Sequence, residues 1–291
     1  MRQAGTAFGD LASIAREHAA VIGAAERRAW RAIGVALALL GLLVLGLWWI
    51  DFGFARLATG LSRFGEILLR MMPPSPDSLA RFLIYAQALV ETLCLALIGT
   101  FSAAVIALPL GLLAARNVTG SGVMHFVLRR AFDIIRGIDR FVWALIFVRV
   151  VGLGPFAGAL AIAVSNIGSF GKLFSETFES ADARPIEGVV STGGSGAHAV
   201  RFAILPEVAP VILSQFLYYF ESDTRSATVI GIVGAGGIGL YLYEEIRTLE
   251  WTHVAFLILM ILVTVALIDA LSGVLRRWFI GGRQEGKQAR S

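Results

Sequence analysis

The sequence predicts an all-α fold: a polytopic membrane protein of about six transmembrane helices. Three observations predict it. Hydrophobic residues make up 57% of the 291-residue chain, whereas soluble domains sit near about 45–50%. Mean hydropathy is +0.75. Apolar runs of about 20 residues recur with few charges, enough to cross a hydrocarbon core of about 30 Å. Lipid offers the backbone no hydrogen bonds, so such runs must be helical.

Residues 1–31 precede the first run. Within them Phe8, Leu11, Ile14, Ala15, Val21 and Ile22 recur at near-helical spacing. Residues 6–28 therefore predict an amphipathic helix in the cytosol or at the interface rather than a cleaved signal. The first span is Ala32–Ile50, set between Arg27-Arg28 and Trp48-Trp49. Residues 51–81 read as an external connection, with a helix-breaking turn at 71–76, Met-Met-Pro-Pro-Ser-Pro. The second span lies within Phe82–Arg116; at about 1.5 Å per residue it exceeds the bilayer core, so it tilts or projects, with Pro109 as a kink site. The third is short, Phe141–Val151, preceded by an oblique helix 122–138. Span four is Phe156–Phe174, span five runs from near Val208 towards Ile230, and span six is Val254–Leu271. The sole cysteine, Cys94, lies in an apolar run; it forms no internal disulfide and reads as a small buried hydrophobe.

Charge sets the expected orientation. With the N-terminus inside, segments 1–31, 116–140, 172–206 and 276–291 carry 18 Lys/Arg, against 5 outside (Arg56, Arg63, Arg70, Arg81, Arg247). That bias predicts six spans with both termini cytosolic. The divisions are then a cytosolic or interfacial segment 1–31, a first helix with its external connection 32–81, a transmembrane domain 82–275 containing a cytosolic loop 176–206, and a basic tail 276–291. Basic residues lie between apolar runs and do not interleave with aromatics, which excludes nucleic-acid binding.

The loop carries its own short helix. Pro185 suits a first helical position, Gly193-Gly194 the stop, and Glu187 a first turn favoured by the helix dipole. Ile186, Val189 and Val190 fall on one face at i, i+3 and i+4. A helix this short needs a partner; the stripe either enters a groove on another protein or folds back onto its own bundle.

Gly234-Ala235-Gly236-Gly237-Ile238-Gly239 matches GxGxxG. A dinucleotide site would need a strand before it and a βαβ unit around it, and neither is present in the pattern. These glycines instead predict close backbone approach: a broken helix or re-entrant turn forming part of an outer gate, or simple packing of small residues. Charges at membrane depth are the remaining signal. Arg149 stands alone in an apolar run, and Glu221, Asp223 and Arg225 interrupt span five. Arg149 and Arg225 are candidates for an oxyanion pathway, since guanidinium matches such ions, with Ser165, Asn166, Ser222 and Thr224 as uncharged donors. Alternatively Arg225 pairs with Glu221 four residues earlier and only holds helices in register. His18, His125, His198 and His253 have no metal-ligand spacing, the sequence suggests no Ser-His-Asp or Cys-His catalytic set, and Glu244-Glu245 read as a solvated loop.

"EGVVSTG" (187–193), followed after nine residues by "AILP" (203–206), resembles the EAA-xxx-G-x9-I-x-LP loop of type I, MetI-like ABC-importer permeases, which are binding-protein-dependent. Glu187, Gly193, Leu205 and Pro206 match; Gly188 and Val189 replace two alanines and Ala203 an isoleucine. "LPLGLLAARN" (108–117), "FVWALIFVRVVGLGPFAGALAIA" (141–163), "GKLFSETFES" (171–180) and "RSATVIGIVGAGGIG" (225–239) resemble permeases for phosphonate, phosphite and hypophosphite, a likeness covering roughly residues 82–275. The resemblance implies a non-enzymatic permease subunit in the bacterial cytoplasmic membrane. Its partners would be a second permease subunit, identical or homologous, two cytosolic ATPases gripping the 185–206 loop, an external binding protein, and membrane lipid. No GxxxxGK[ST] occurs, so ATP and Mg would bind the ATPase partner and this chain would hold no cofactor. The rival readings are a membrane-embedded enzyme acting on phosphorylated lipid and an ion-coupled secondary transporter. The latter often shows inverted repeats; none is visible.

Overall fold

The computed structural model describes the backbone of residues 19–288 and side chains between residues 28 and 277. The expected helix at 6–28 lies partly outside the described residues; 19–28 belong to a longer helix. In the unit that ends at Glu66, α1 (Ala19–Trp49) carries the first apolar run and exposes apolar residues all round, Leu37 and Val44 on one face and Leu39, Leu42 and Leu45 on others, as a helix solvated by lipid does. α2 (Phe54–Arg70) begins there too and was expected as plain connection. It is amphipathic, with Leu57, Leu61, Phe64 and Leu68 on one face.

The second unit is a helical bundle. α3 (Leu79–Ala114) is capped by Ser78, whose side chain accepts from Arg81 N, and stays helical through Pro109. The one-turn α4 (Arg116–Thr119) leads to α5 (Gly122–Gly137), α6 (Arg140–Val151) and α7 (Pro155–Glu179). The loop holds α8 (Ala183–Ser191), α9 (Gly196–Ala199) and a π-helical turn, Val200–Ile204. α10 (Leu205–Gly231), α11 (Ile238–Thr248) and α12 (Trp251–Gln288) complete the chain. No strand occurs among the described residues. Cys94 lies on the exposed face of α3 rather than in its core, because Leu95 and Ala96 take the buried positions.

Among the described residues, five helices are long and apolar enough to cross a membrane: Trp30–Trp49, Leu79–Ala114, Pro155–Glu179, Gly196–Gly231 and Trp251–Arg277. The expected third span, α6, has 12 residues, about 18 Å, and is too short alone. Its deficit is made up by α5. A Cβ on Gly168 of α7 would stand 2.8 Å from Arg136 N, and Gly171 lies under the Phe132 ring. Further along α7, Ala161 and Ile162 pack with Ala144 of α6. α5 and α6 thus follow α7 antiparallel from its Glu179 end to its Pro155 end, as one helical run interrupted at Ile138-Asp139. A second interruption, Ile232–Gly237, separates α10 from α11. Thr100 meets Asp223, Thr92 meets Ile238, and Tyr85 meets Glu245. α11 therefore continues in the direction of α10 along α3.

Candidate functional site: coupling loop, interrupted helices and a polar face

The loop helix α8 starts two residues earlier than the sequence suggests. Asp182 is its N-cap, accepting from Arg184 N at 3.1 Å. Pro185 is therefore the third helical residue, and Glu187 lies past the first turn, so the carboxylate at the positive helix end is Asp182. Gly193, with φ +82°, ends the helix as expected. The apolar stripe folds back onto its own bundle in part. Ile186 and Leu205 turn inward against Phe174, Phe178, Ile204 and Val208. Val189 is half-buried, while Val190 stays 53% exposed, beside exposed Glu187 and Pro206. Asp182 N donates to both Glu207 carboxylate oxygens at 3.3 Å, joining the start of α8 to the start of α10.

The first interruption surrounds a charge pair. Asp223 is 0% exposed. It accepts from Thr100 Oγ1 at 2.6 Å, from Asn166 Nδ2 and from Arg140 Nη1. Arg140 also donates to Ser226 Oγ at 2.9 Å. Asn166 Oδ1 is buried without a partner among the described residues. A carboxylate in an apolar bundle persists only when paired and hydrogen-bonded. The Ile138-Asp139 break delivers the cation, because it places Arg140 at the start of α6, capped by Asp139. The sequence reading placed Arg140 in a cytosolic loop and so missed it.

The second interruption is made of backbone. Gly234, Gly236 and Gly237 have φ of +87°, +78° and +73°, a region open chiefly to glycine. Gly154 N donates to Gly234 O at 2.9 Å. Ile238 N donates to Thr92 Oγ1 at 2.8 Å and Gly237 N to Glu91 Oε1 at 3.2 Å. A Cβ on Gly236 would stand 2.8 Å from Pro155 N. Gly239 packs on the α10 backbone at Thr228 and Gly231. The turn borders a cavity of about 350 Å³ lined by Glu91, Leu153, Pro155 and Tyr241.

The candidate pathway residues do not form one set. Arg225 Nη1 pairs with Glu221 Oε1 at 3.1 Å, and Arg276 of α12 reaches Glu221 Oε2 at 3.5 Å. Glu221 therefore ties α10 to α12, as the register alternative expects. Arg149 is exposed and makes no ion pair among the described residues. Ser165 is buried in α7. Arg225 is nonetheless 52% exposed, and it shares a face with Tyr218, Ser222 and Val229 at i, i+4, i+7 and i+11. Beyond these, His253 is buried with Nε2 2.6 Å from Asp77 and Nδ1 3.2 Å from Glu245. Tyr85 donates to Glu245 at 2.7 Å. Glu245 is thus not solvated as expected but joins α11 to α3 and α12. Among the described residues no His/Cys/Asp/Glu group has metal-binding geometry.

Residues 107–281 match the model of the family described as binding-protein-dependent transport system inner membrane component. The chain belongs to this family. It is accordingly a permease component of an ABC importer, lodged in the inner membrane, and not an enzyme. The phosphite transport system permease protein PtxC of Stutzerimonas stutzeri is 33% identical over 86% of this chain and 90% of its own length. The phosphate-import permease protein PhnE of Mycolicibacterium smegmatis is 36% identical over 72% of this chain and 39% of its own length. In fold, the chain resembles the inward-facing MetNI methionine ABC transporter with a TM-score of 0.60 at 21% identity, covering 69% of this chain and 99% of that one. GxGxxG here is a turn between membrane helices, in a family of transport components.

Proposed function

We propose that this chain is the transmembrane subunit through which an ATP-driven importer moves a small phosphorus oxyanion into the cell. The phosphite and phosphate named for the two relatives support that substrate class; phosphonate and hypophosphite are further members of it by chemistry. The observation that carries the pathway is the exposed α10 face bearing Tyr218, Ser222 and Arg225. A polar, cationic stripe at membrane depth is costly against lipid and belongs against protein or water. We assign it to the axis shared with a second permease subunit, where Arg225 guanidinium and the Ser222 hydroxyl favour a passing oxyanion. Arg149 contributes from the rim.

Two cytosolic ATPases, which hold ATP and Mg, dock on the loop through Pro185, Glu187, Val190 and Pro206, while Ile186, Val189, Gly193 and Leu205 shape its inner side. An external binding protein delivers the anion at the opposite end, where the Gly234–Gly239 turn gates the path. Counting α5–α6 as one crossing leaves both termini cytosolic. The test is ATP turnover by the co-purified complex. Stimulation by binding protein loaded with phosphite, phosphonate, hypophosphite or phosphate is expected; turnover indifferent to every loaded binding protein contradicts the reading.

A further inference from the structure

We propose that a basic pocket between the ends of α3, α5 and α7 binds the phosphate of an anionic membrane-lipid headgroup. The pocket encloses about 430 Å³ and is lined by Arg116, His125, Arg129, Arg130 and Lys172, with Asp133 as its one carboxylate.

Charge bookkeeping within it does not close. Arg129 is matched by Glu179 at 2.8 Å, with Glu176 at 3.9 Å. Asp133 alone is shared by Lys172 at 3.1 Å, Arg136 at 3.2 Å and Arg130 at 3.4 Å. Arg116 makes no ion pair among the described residues; its Nε donates to His125 Nε2 at 3.0 Å. His125 Nδ1 stands 2.7 Å from the Ala114 carbonyl oxygen. Glu179 Oε1 also accepts from Arg116 N at 2.9 Å and lies 3.5 Å from His125 Nδ1, so it serves the backbone of Arg116 and not its guanidinium. Five cations thus face three carboxylates. Arg129 Nε is also buried without a hydrogen-bond partner among the described residues.

Position selects the occupant. Two helices long and apolar enough to cross a membrane end beside it, α3 at Ala114 and α7 at Glu179, and on that ground we place the pocket at the level of the headgroups. Beside it α5 exposes Val123, Phe126 and Val127. A free ion gains nothing from that apolar surface, whereas a lipid lays its chains along it while guanidinium groups take the phosphate. None of the residues lining the pocket belongs to the loop face or to the α10 stripe, so headgroup binding stands independently of which anion is transported.

The full-length chain, purified in neutral detergent, is titrated with phosphatidylglycerol, phosphatidylcholine and inorganic phosphate while bound lipid is counted by native mass spectrometry. Phosphatidylglycerol is expected to bind with preference over phosphatidylcholine, and inorganic phosphate to leave that binding unchanged. Arg116→Gln should weaken it about fivefold, and Arg116→Gln with Arg130→Gln about thirtyfold, from the gain per basic residue at an anionic surface. Arg116→Lys should retain most of it. Should the Arg116 variants not fold, exposed Arg130→Gln supplies the single-site comparison. Equal binding of both lipids, full competition by inorganic phosphate, or unchanged affinity in the variants overturns the proposal, as does a pocket that takes only the ATPase subunit and no lipid.

Discussion

The interruption at Ile138-Asp139 is held by charge, and the one at Ile232–Gly237 by backbone. In the first, Arg140 reaches a carboxylate that Thr100 and Asn166 also bind. In the second, glycines at positive φ shape a turn from which Gly237 N donates to Glu91 and Ile238 N to Thr92. The contrast teaches where each crossing tolerates change. A buried ion pair is strong while whole but fails when either partner goes, whereas a glycine turn fails by crowding. A gate that moves is better built from the second, since its amides can exchange one oxygen for another, while separating Arg140 from Asp223 leaves a bare charge in the bundle.

The largest expected effect breaks the first interruption. Asp223→Ala should destabilise the protein by about 3–5 kcal/mol, and Arg140→Met with Asp223→Leu should recover most of that, measured by denaturant unfolding in detergent. Equal losses in the single and double variants would show that the pair does not define this site. Next, Gly236→Ala should cost about 1–3 kcal/mol from its left-handed backbone and its approach to Pro155. Gly273→Ala, with open space around its Cβ position, should be neutral or mildly stabilising by comparison. A smaller change, Asp182→Ala, removes the N-cap of α8 and should cost about 1 kcal/mol, read as a fall in binding-protein-stimulated ATP turnover at unchanged assembly. The smallest structural effect sharpens the functional side. Arg225→Gln removes a half-exposed i,i+4 pair worth about 0.5 kcal/mol or less, yet should depress anion uptake; unchanged uptake with normal folding removes Arg225 from the pathway.

The crossings were legible because length and hydropathy are local properties. Phe156–Phe174 falls inside α7 and Val254–Leu271 inside α12. The broken third crossing was half legible: its two pieces were visible, but not that Gly168 and Gly171 let them share the groove of α7. α2 was missed because proline-rich residues 71–76 dominated the reading of its connection. Glu221 with Arg225 could be read from four-residue spacing. Arg140 with Asp223 could not, nor His253 with Asp77, because each pair is brought together only by helix packing across most of the domain. In α8 the helix start was misjudged at Pro185, since Asp182 caps equally well three residues earlier.

The central claim is that work done by a separate ATPase at α8 drives anion movement through the bundle. Uptake of labelled phosphite into proteoliposomes, with and without the ATPase subunit, tests it most directly. The account predicts ATP-dependent uptake only when the chain, the ATPase and the binding protein are all present, and its loss when Glu187 and Val190 on α8 are replaced. Uptake by the chain alone, at the same rate with no ATP-hydrolysing subunit, would contradict it.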